Sequence, residues 1–386
     1  MSINVGLFND SFLPTIDGVA NCVKNYADII NDGLGKAAVI TPEYPNVIDD
    51  YDYPVFRFSS VKFKGHMPYR VGNPFSPSTI LELKKQKFDL LHVHCPFASA
   101  VLAQEIKNKK TPTVFTYHTK FDIDIDNFVK NSKLNAISKK FILNNIKKAD
   151  EVWCVSKGAI DSLHTLGYKG DAIVMPNGTD FPKGKANSDS IKEIKRIYNL
   201  CEEIPTFIFC GRIMWYKNLK LIVDGLNLLK KSGIKFKALF IGDGPDRPYI
   251  EKYSRCVGLN ETYLTYIGSV YDREKIRTFF SCADLLLFPS TYDTSGLVVK
   301  EAAACECSSI LVEGSCAAEG VTDGENGLLI KETPEAFADS IAKAINSDGL
   351  FKKMGKNASD TVYYSWKDSV NTAFKRYVFI LNNYKK

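Results

Sequence analysis

Two carboxylates at a spacing of eight residues, Asp293 and Glu301, form the most informative pattern in the sequence. They belong to the segment PSTYDTSGLVVKEAAACE, which follows an apolar run predicted as a strand and enters a predicted helix through a turn at Gly296. A helix amino terminus presents unpaired backbone N–H groups, so the segment offers an anion site at the end of a strand. Carboxylates beside a sugar nucleotide accept hydrogen bonds from ribose or hexose hydroxyls. The alternative is that Glu301 only caps or solvates its helix.

This segment resembles the E-x7-E signature of the retaining glycosyltransferases of family 4, which have the two-domain GT-B fold. The signature normally reads E-x-F-G-L-x-x-x-E-A-M-A-x-G, and here it reads D-T-S-G-L-V-V-K-E-A-A-A-C-E. In that family the first acid contacts the donor hexose and the second contacts the donor ribose. The resemblance therefore assigns Asp293 to the hexose and Glu301 to the ribose, and it places the backbone of Gly296 and Leu297 near the diphosphate. The shorter first acid and Ser295, in place of the usual aromatic residue, leave the identity of the sugar open.

A pair of cations follows an earlier predicted strand, in the segment Cys210-Gly211-Arg212-x4-Lys217, which resembles the family's G-R-x4-K element. A diphosphate leaving group gains negative charge as the glycosidic bond breaks, so two cations beside it would stabilise the transition state. The alternative is that Arg212 and Lys217 are solvated surface side chains. Their position at the carboxyl end of a strand favours the site.

Four further elements resemble family motifs in the expected order. Gly242 and Asp243 follow a strand and line the donor site in the family, and Gly268 lies in the turn that faces the base. Near the amino terminus, Gly18 corresponds to the glycine that lets backbone N–H groups approach the donor phosphates. His118 corresponds to the histidine that contacts the donor hexose. The resemblance implies front-face displacement, with no protein nucleophile, no essential metal and no other cofactor.

Two other patterns could indicate a metal site. In the run His92-Val93-His94-Cys95, strand alternation places the two histidines on one face and Cys95 on the other, and no third ligand is evident nearby. A packed strand is therefore favoured over a zinc site. The overlapping D-x-D patterns between Asp122 and Asp126 hold a divalent metal in a different transferase fold. Here they follow His118 directly, so a role on the acceptor side or in helix capping is favoured for Asp122.

Short apolar runs alternate with segments of helical period, which predicts parallel sheets covered by helices on both faces. The predicted strands form two series: Asn4–Phe8, Ala37–Thr41, Leu90–His94, Thr113–Tyr117, Glu151–Val155 and Ile173–Pro176, then Thr206–Cys210, Ala238–Ile241, Leu264–Ile267, Leu285–Pro289, Ser309–Val312 and Leu328–Ile330.

Two such series in 386 residues predict an α/β protein of the GT-B fold, with two facing doubly wound Rossmann-like domains. The predicted boundaries are 1–182 for the acceptor-side domain and 183–365 for the donor-binding domain. An apolar terminal helix, 366–386, is expected to pack back on the first domain. Ligands of open α/β sheets bind beyond the carboxyl ends of the strands, so the site is expected in the cleft between the domains.

The overall composition indicates a cytoplasmic protein that is soluble or peripheral on the inner face of the plasma membrane. The net charge of +6 suits an anionic ligand or anionic lipid and is too small for a nucleic-acid partner. The ten cysteines include no C-x-x-C pair, which is typical of reduced structural thiols. The sequence has neither a signal-peptide pattern nor an apolar run of about 20 residues that could span a bilayer.

A basic amphipathic helix is predicted over residues 128–148. Leu134, Ile137, Phe141 and Ile142 share an arc, and four lysines lie largely opposite: Lys133, Lys139, Lys140 and Lys147. Such a helix could lie on an anionic membrane, or it could be an ordinary surface helix with one buried stripe. Cations and aromatic residues also alternate in the loop 62–70, which adds support for an interface.

These observations favour a retaining hexosyltransferase that uses a nucleotide-diphosphate sugar, with UDP-glucose as the expectation from the family. The stretches HTKFDIDI and EGSCAAEGVTDGENG resemble bacterial diacylglycerol glucosyltransferases, which favours diacylglycerol as the acceptor. One alternative is a transferase for a cell-envelope polysaccharide. Others are a non-catalytic sugar-nucleotide-binding protein, motivated by the altered signature, and a UDP-sugar epimerase of the same fold.

Overall fold

A computed structural model describes residues 2–15, 17–62 and 70–384 of the chain. The chain divides into two compact units, Met1–Asn177 with Trp366–Lys386, and Gly178–Ser365. Each unit contains one parallel sheet with helices packed against it. The predicted fold class is therefore confirmed. No helix within the described residues is long and apolar enough to span a bilayer.

The first unit is built on a seven-stranded sheet in the order β3-β2-β1-β6-β7-β8-β9, and a separate antiparallel pair, β4 and β5, accompanies it. The strands are β1 (Asn4–Phe8), β2 (Lys36–Pro42), β3 (Val55–Phe58), β4 (Ser60–Lys62), β5 (Arg70–Gly72), β6 (Leu90–Val93), β7 (Thr113–Tyr117), β8 (Glu151–Cys154) and β9 (Ile173–Val174). The first helices of the chain are α1 (Gly18–Ile29), α2 (Pro77–Lys85), α3 (Ala98–Ile106), α4 (Phe121–Phe128), α5 (Ser132–Ile146) and α6 (Lys157–Leu166).

The second unit is built on a six-stranded parallel sheet in the order β12-β11-β10-β13-β14-β15. Its strands are β10 (Thr206–Cys210), β11 (Lys237–Ile241), β12 (Leu264–Gly268), β13 (Leu285–Leu287), β14 (Ser308–Val312) and β15 (Leu328–Ile330). Its helices are α7 (Ser188–Tyr198), α8 (Leu219–Lys231), α9 (Arg247–Cys256), α10 (Arg273–Cys282), α11 (Leu297–Ala304), α12 (Pro334–Ile345) and α13 (Leu350–Thr361); the last helix, α14 (Trp366–Asn383), belongs to the first unit.

The strand order reverses once in each sheet, between β1 and β6 in the first unit and between β10 and β13 in the second. Open α/β sheets bind ligands at such a reversal, because the loops that leave the two strands diverge and form a crevice. The loop after β10 carries Arg212 and Lys217, and the loop after β13 carries Asp293. The chain order of the strands thus brings these two loops to one edge of the second sheet.

The first unit ends at Asn177 rather than at residue 182 as predicted. The residues that follow belong to the second unit, because Phe181 is buried in its core and the N–H of Thr179 donates to the carbonyl of Tyr364 (2.9 Å). Helix α14 packs on the first unit, where the hydroxyl of the buried Tyr377 lies 2.6 Å from Nδ1 of His92.

The first unit differs from the prediction in an edge strand and in the start of a helix. The edge strand β3 was not predicted, because only its last residue, Phe58, is buried and the run lacks continuous burial. The predicted helix 128–148 begins later, at Ser132, because the side chain of Asn131 accepts hydrogen bonds from the N–H groups of Lys133 and Leu134 and caps α5 there. Most of the loop 62–70 lies outside the described residues, at 63–69.

Candidate functional site

The turns after β10, β11 and β12 are joined through their backbones at the carboxyl edge of the second sheet. The N–H of Gly211 donates to Ile241, and the N–H of Gly242 donates to Gly268 (2.8 Å). Gly242 has a φ of 128°, and a Cβ atom there would lie 1.9 Å from the carbonyl oxygen of Gly211. A glycine is therefore required at this position both for the backbone conformation and for the close approach of the two turns. Gly242 and Gly268 shape the floor of the predicted donor site.

Lys217 and Asp293 form a two-point ion pair at the strand reversal. The Lys217 ammonium lies 2.7 Å and 2.9 Å from the two carboxylate oxygens of Asp293. The Ser290 hydroxyl donates to the same carboxylate (2.6 Å). Because both partners are largely withdrawn from solvent, this pair is held more rigidly than an exposed one. The sequence placed both residues in the donor site, and the structure brings them into direct contact across 76 residues of chain.

Glu301, the second signature acid, is held by a cation that the sequence analysis missed. Nη2 of Arg273, on the first turn of α10, donates to the Glu301 carboxylate (2.7 Å), and Nε of Arg273 donates to Asp180 (3.0 Å). Burial raises the pKa of Glu301, and the Arg273 charge opposes that effect. The Arg273 guanidinium also lies 4.3 Å from the ring centroid of Phe181. No spacing motif links residues 273 and 301, so only the packing of α10 beside α11 reveals the pair.

The other residues of the second unit that are predicted to bind the donor are exposed or lie at turns. Arg212 is exposed and has no hydrogen-bond or ion-pair partner within the described ranges, so its charge is available to an anion. Asp243 lies 3.4 Å from the guanidinium of Arg247. Gly296 precedes α11 with a φ of 56°, and it offers no side chain to cap the helix that Leu297 begins. No side chain at the N-cap position therefore binds the first N–H groups of α11. An anion site at a helix amino terminus requires such uncapped N–H groups.

In the first unit, Gly18 is the first residue of α1. The preceding residue, Asp17, accepts hydrogen bonds from the N–H groups of Val19 (2.9 Å) and Ala20 (2.8 Å), and the Ser11 hydroxyl donates to Asp17. The helix terminus is therefore already capped by a carboxylate. The role predicted for Gly18, close approach of donor phosphates, stays a prediction.

Three buried histidines line the carboxyl ends of β6 and β7. His92 lies 2.6 Å from both the Tyr377 and the Thr116 hydroxyl, so it is a packed and hydrogen-bonded core residue. Nδ1 of His94 lies 3.0 Å from Nε2 of His118. Burial lowers the pKa of His118 to about 3, and burial also lowers the pKa values of His92 and His94. His118 is therefore neutral near pH 7 and can exchange hydrogen bonds with a hexose hydroxyl.

These lowered pKa values predict that the fold is sensitive to acid. Between pH 6.5 and about 3 the unfolded chain binds a proton at residue 118 and the folded chain does not, so stability falls as the pH falls. We expect His118→Asn to flatten the dependence of the unfolding free energy on pH by up to about 1.4 kcal/mol per pH unit. Urea unfolding followed by circular dichroism measures this slope. The exposed His164→Asn is the control, and equal slopes for both variants would contradict the assignment.

The acids of the D-x-D patterns lie on α4 and take part in contacts within the first unit. The Ser162 hydroxyl donates to Asp122 (2.6 Å), which ties α4 to α6. The Lys139 ammonium lies 2.6 Å from Asp126, which ties α4 to α5. The suggested acceptor role of Asp122 stays a prediction.

Comparison with known proteins identifies the family. The model described as Glycosyltransferase Family 4 matches residues 16–181, and the model described as Glycosyl transferases group 1 matches residues 190–361. The chain belongs to these GT-B glycosyltransferases. The two matches follow one another along the chain and together cover most of it. The resemblance found in the signature segment is therefore confirmed.

Several relatives of this glycosyltransferase have assigned names. The alpha-monoglucosyldiacylglycerol synthase of Acholeplasma laidlawii is 27% identical over 92% of this chain and 92% of its own length. The alpha-monoglucosyldiacylglycerol synthase of Streptococcus pneumoniae is 24% identical over 78% of this chain and 69% of its own length. Among solved structures, HepE of Anabaena in complex with UDP and glucose aligns with a TM-score of 0.74 at 17% identity, covering 99% of this chain and 100% of that one.

Proposed function

We propose that this glycosyltransferase moves glucose from UDP-glucose to a diacylglycerol lipid, with retention of the anomeric configuration, at the surface of an anionic membrane. Two relatives, which match 92% and 78% of this chain, are named alpha-monoglucosyldiacylglycerol synthase, which supports the acceptor and the configuration. HepE, which shares the fold, binds UDP and glucose, which supports the donor.

The donor side of the proposal follows from the charges at the strand reversal of the second sheet. Arg212 and Lys217 neutralise the diphosphate, and the exposed Arg212 has its charge available for this. Glu301 accepts from the ribose, and Asp293 accepts from the hexose. His118, neutral in its buried position, is the residue to which the family resemblance assigns a contact with the hexose. With two cations beside the leaving group, the reaction requires no divalent metal.

The observation that carries the lipid acceptor is the outer face of α5. Leu134, Ile137 and Phe141 form one stripe on this helix and are 56%, 62% and 46% exposed. The core of the unit is contacted by a different face, which carries the buried Ile142 and Ile146.

Three exposed lysines at a spacing of seven residues, Lys133, Lys140 and Lys147, follow the edge of this apolar stripe. A stripe bordered by cations matches an anionic bilayer, since the apolar side chains enter the acyl boundary and the ammonium groups meet lipid phosphates. The sequence analysis predicted that four lysines lie largely opposite the apolar arc. These three lie beside the exposed stripe instead, and only Lys139, which pairs with Asp126, lies opposite it. A protein held on the membrane by α5 would reach a diacylglycerol acceptor without leaving the surface.

We expect the double substitution Ile137→Ser and Phe141→Ser to weaken binding to phosphatidylglycerol vesicles about tenfold or more. Each side chain loses on the order of 1 kcal/mol of apolar burial in the bilayer, and 1.4 kcal/mol corresponds to a factor of ten. Vesicle sedimentation measures the bound fraction. Ile197→Ser, which removes an apolar side chain of similar exposure from α7, is the control and should bind like the wild type. Equal binding by all three proteins would contradict the role of α5.

The function is tested by incubating the purified protein with a panel of sugar nucleotides, with and without anionic vesicles that contain diacylglycerol, and measuring nucleoside diphosphate release. Release that requires UDP-glucose and the vesicles supports the proposal. Release with a soluble envelope glycan in the absence of vesicles would instead assign a polysaccharide acceptor. Saturable donor binding without turnover under any condition would indicate a non-catalytic binding protein.

A further inference from the structure

Three side chains that can bind a soft metal ion converge in the core of the first unit. They are Cys22 on α1, His94 after β6 and His118 after β7, and one ligand atom from each lies within 4.8 Å of the other two. The three residues are buried, with exposed fractions of 1%, 2% and 8% in that order. The sequence did not reveal this group, because Cys22 lies far along the chain from the two histidines.

The ligand set and its spacing suit Zn²⁺. A tetrahedral zinc ion with Zn–N bonds of about 2.0–2.1 Å holds two nitrogen ligands roughly 3.3 Å apart. Nδ1 of His94 and Nε2 of His118 are 3.0 Å apart, so small side-chain rotations produce this geometry. One thiolate and two imidazoles are typical zinc ligands, and three protein ligands leave a fourth position for water.

The hydrogen bonds of the neighbouring His92 differ from those of His94. Both ring nitrogens of His92 have hydroxyl partners, whereas Nε2 of the buried His94 has no hydrogen-bond partner among the described residues. Beside it, the Cys22 thiol makes a weak contact of 3.6 Å with the side-chain oxygen of Asn177. Metal binding would replace the contact between Nδ1 of His94 and Nε2 of His118, and it would leave His92 in its own hydrogen bonds.

We propose that Cys22, His94 and His118 form a zinc site whose occupation inhibits the enzyme. Binding breaks the S–H bond of Cys22, transfers that proton to solvent and forms a zinc–thiolate bond, with no change of oxidation state. Coordination takes the His118 imidazole away from the hexose of the donor. The inhibition rests on the proposed function of His118, whereas the binding of the metal does not.

Co²⁺ reports occupation of this site directly, because a cobalt–thiolate bond gives a charge-transfer band in the near ultraviolet and tetrahedral cobalt gives strong visible bands. The exposed Cys201 and Cys256 are first replaced by serine, so that the signal comes from the remaining thiols. Titration of this doubly substituted protein with Co²⁺ is expected to saturate at one equivalent, and Zn²⁺ should displace the colour. Absence of a charge-transfer band would overturn the proposal.

The assignment to particular residues is tested by Cys22→Ser and by His94→Gln, each of which should abolish the band. Cys95→Ser, a change of a neighbouring thiol outside the cluster, is the matched control and should retain it. Thermal melting without metal checks that each variant folds, and the second variant keeps the test decisive if the first does not fold. A band that persists in both folded variants would overturn the site.

The inhibition is tested separately by the effect of Zn²⁺ on nucleoside diphosphate release. We expect loss of release in the wild type and resistance to Zn²⁺ in Cys22→Ser. Equal sensitivity of the two proteins would overturn the inhibitory role even if the cobalt band is present. If no donor supports release, the proposed transferase function fails, while the cobalt titration still decides whether the metal site exists.

Discussion

Lys217→Met is expected to lower kcat by about 10²- to 10³-fold, the usual effect of removing one group that stabilises developing charge. The charge of the diphosphate increases as the glycosidic bond breaks, so the ammonium of Lys217 contributes more in the transition state than in the ground state. Methionine keeps most of the length of the side chain, while it removes the ammonium that lies 5.5 Å from the Phe288 ring centroid. Steady-state release of nucleoside diphosphate, measured at saturating donor, gives the change in kcat.

Lys220→Met is the matched control for this prediction, since Lys220 lies three residues further on and pairs with Asp224 on the same helix. It should leave kcat unchanged. Asp293 would lose its cation in the Lys217 variant, so thermal melting must show that the second unit is still folded. An unchanged kcat in a folded Lys217→Met protein would mean that this ion pair is purely structural.

Glu301→Gln is expected to raise the KM for the donor by about 10- to 100-fold with a smaller effect on kcat. A hydrogen bond to a charged group contributes about 1.5–3 kcal/mol. Because Glu301 would bind the ribose in the ground state as well as in the transition state, its loss raises KM more than it lowers kcat. The substitution preserves the shape of the side chain but removes the negative charge, which also forms an ion pair with Arg273. Initial rates over a range of donor concentrations separate KM from kcat.

Donor analogues that lack a ribose hydroxyl test whether Glu301 itself contacts the ribose. If Glu301 accepts from that hydroxyl, the analogue and the substitution remove the same contact, and their effects on binding are not additive. Glu306→Gln, at the end of the same segment, should leave the KM unchanged. Fully additive losses would show that Glu301 acts on the donor only indirectly, by keeping Arg273 and α10 in place.

The sequence was sufficient to predict both sheets, because strands buried on two faces read as continuous apolar runs. It also predicted that Lys217 and Asp293 belong to one site, since both follow strands that end at the same edge of a parallel sheet. The ion pair between them could not be predicted from the sequence, because it depends on how far each of the two loops extends beyond the sheet.

Contacts between separate helices account for what the sequence analysis missed. Arg273 reaches Glu301 only because α10 packs beside α11, and Cys22 reaches His94 only because α1 covers the end of β6. Similarly, helical periodicity identifies the apolar residues near α5 but not which of them contact the core. Ile142 is buried and Phe141 is exposed, although they are adjacent, because tertiary packing selects the buried face.

The configuration of the product tests the central claim most directly. The protein is incubated with UDP-glucose and anionic vesicles that contain diacylglycerol, and the glycolipid is extracted and examined by proton NMR. UDP-glucose carries its sugar in the α configuration, so a retaining transferase predicts an anomeric proton with the small coupling of an α-glucosyl diacylglycerol. A β-linked glycolipid would contradict the retaining mechanism. Turnover of UDP-glucose that yields no glycolipid would contradict the lipid acceptor.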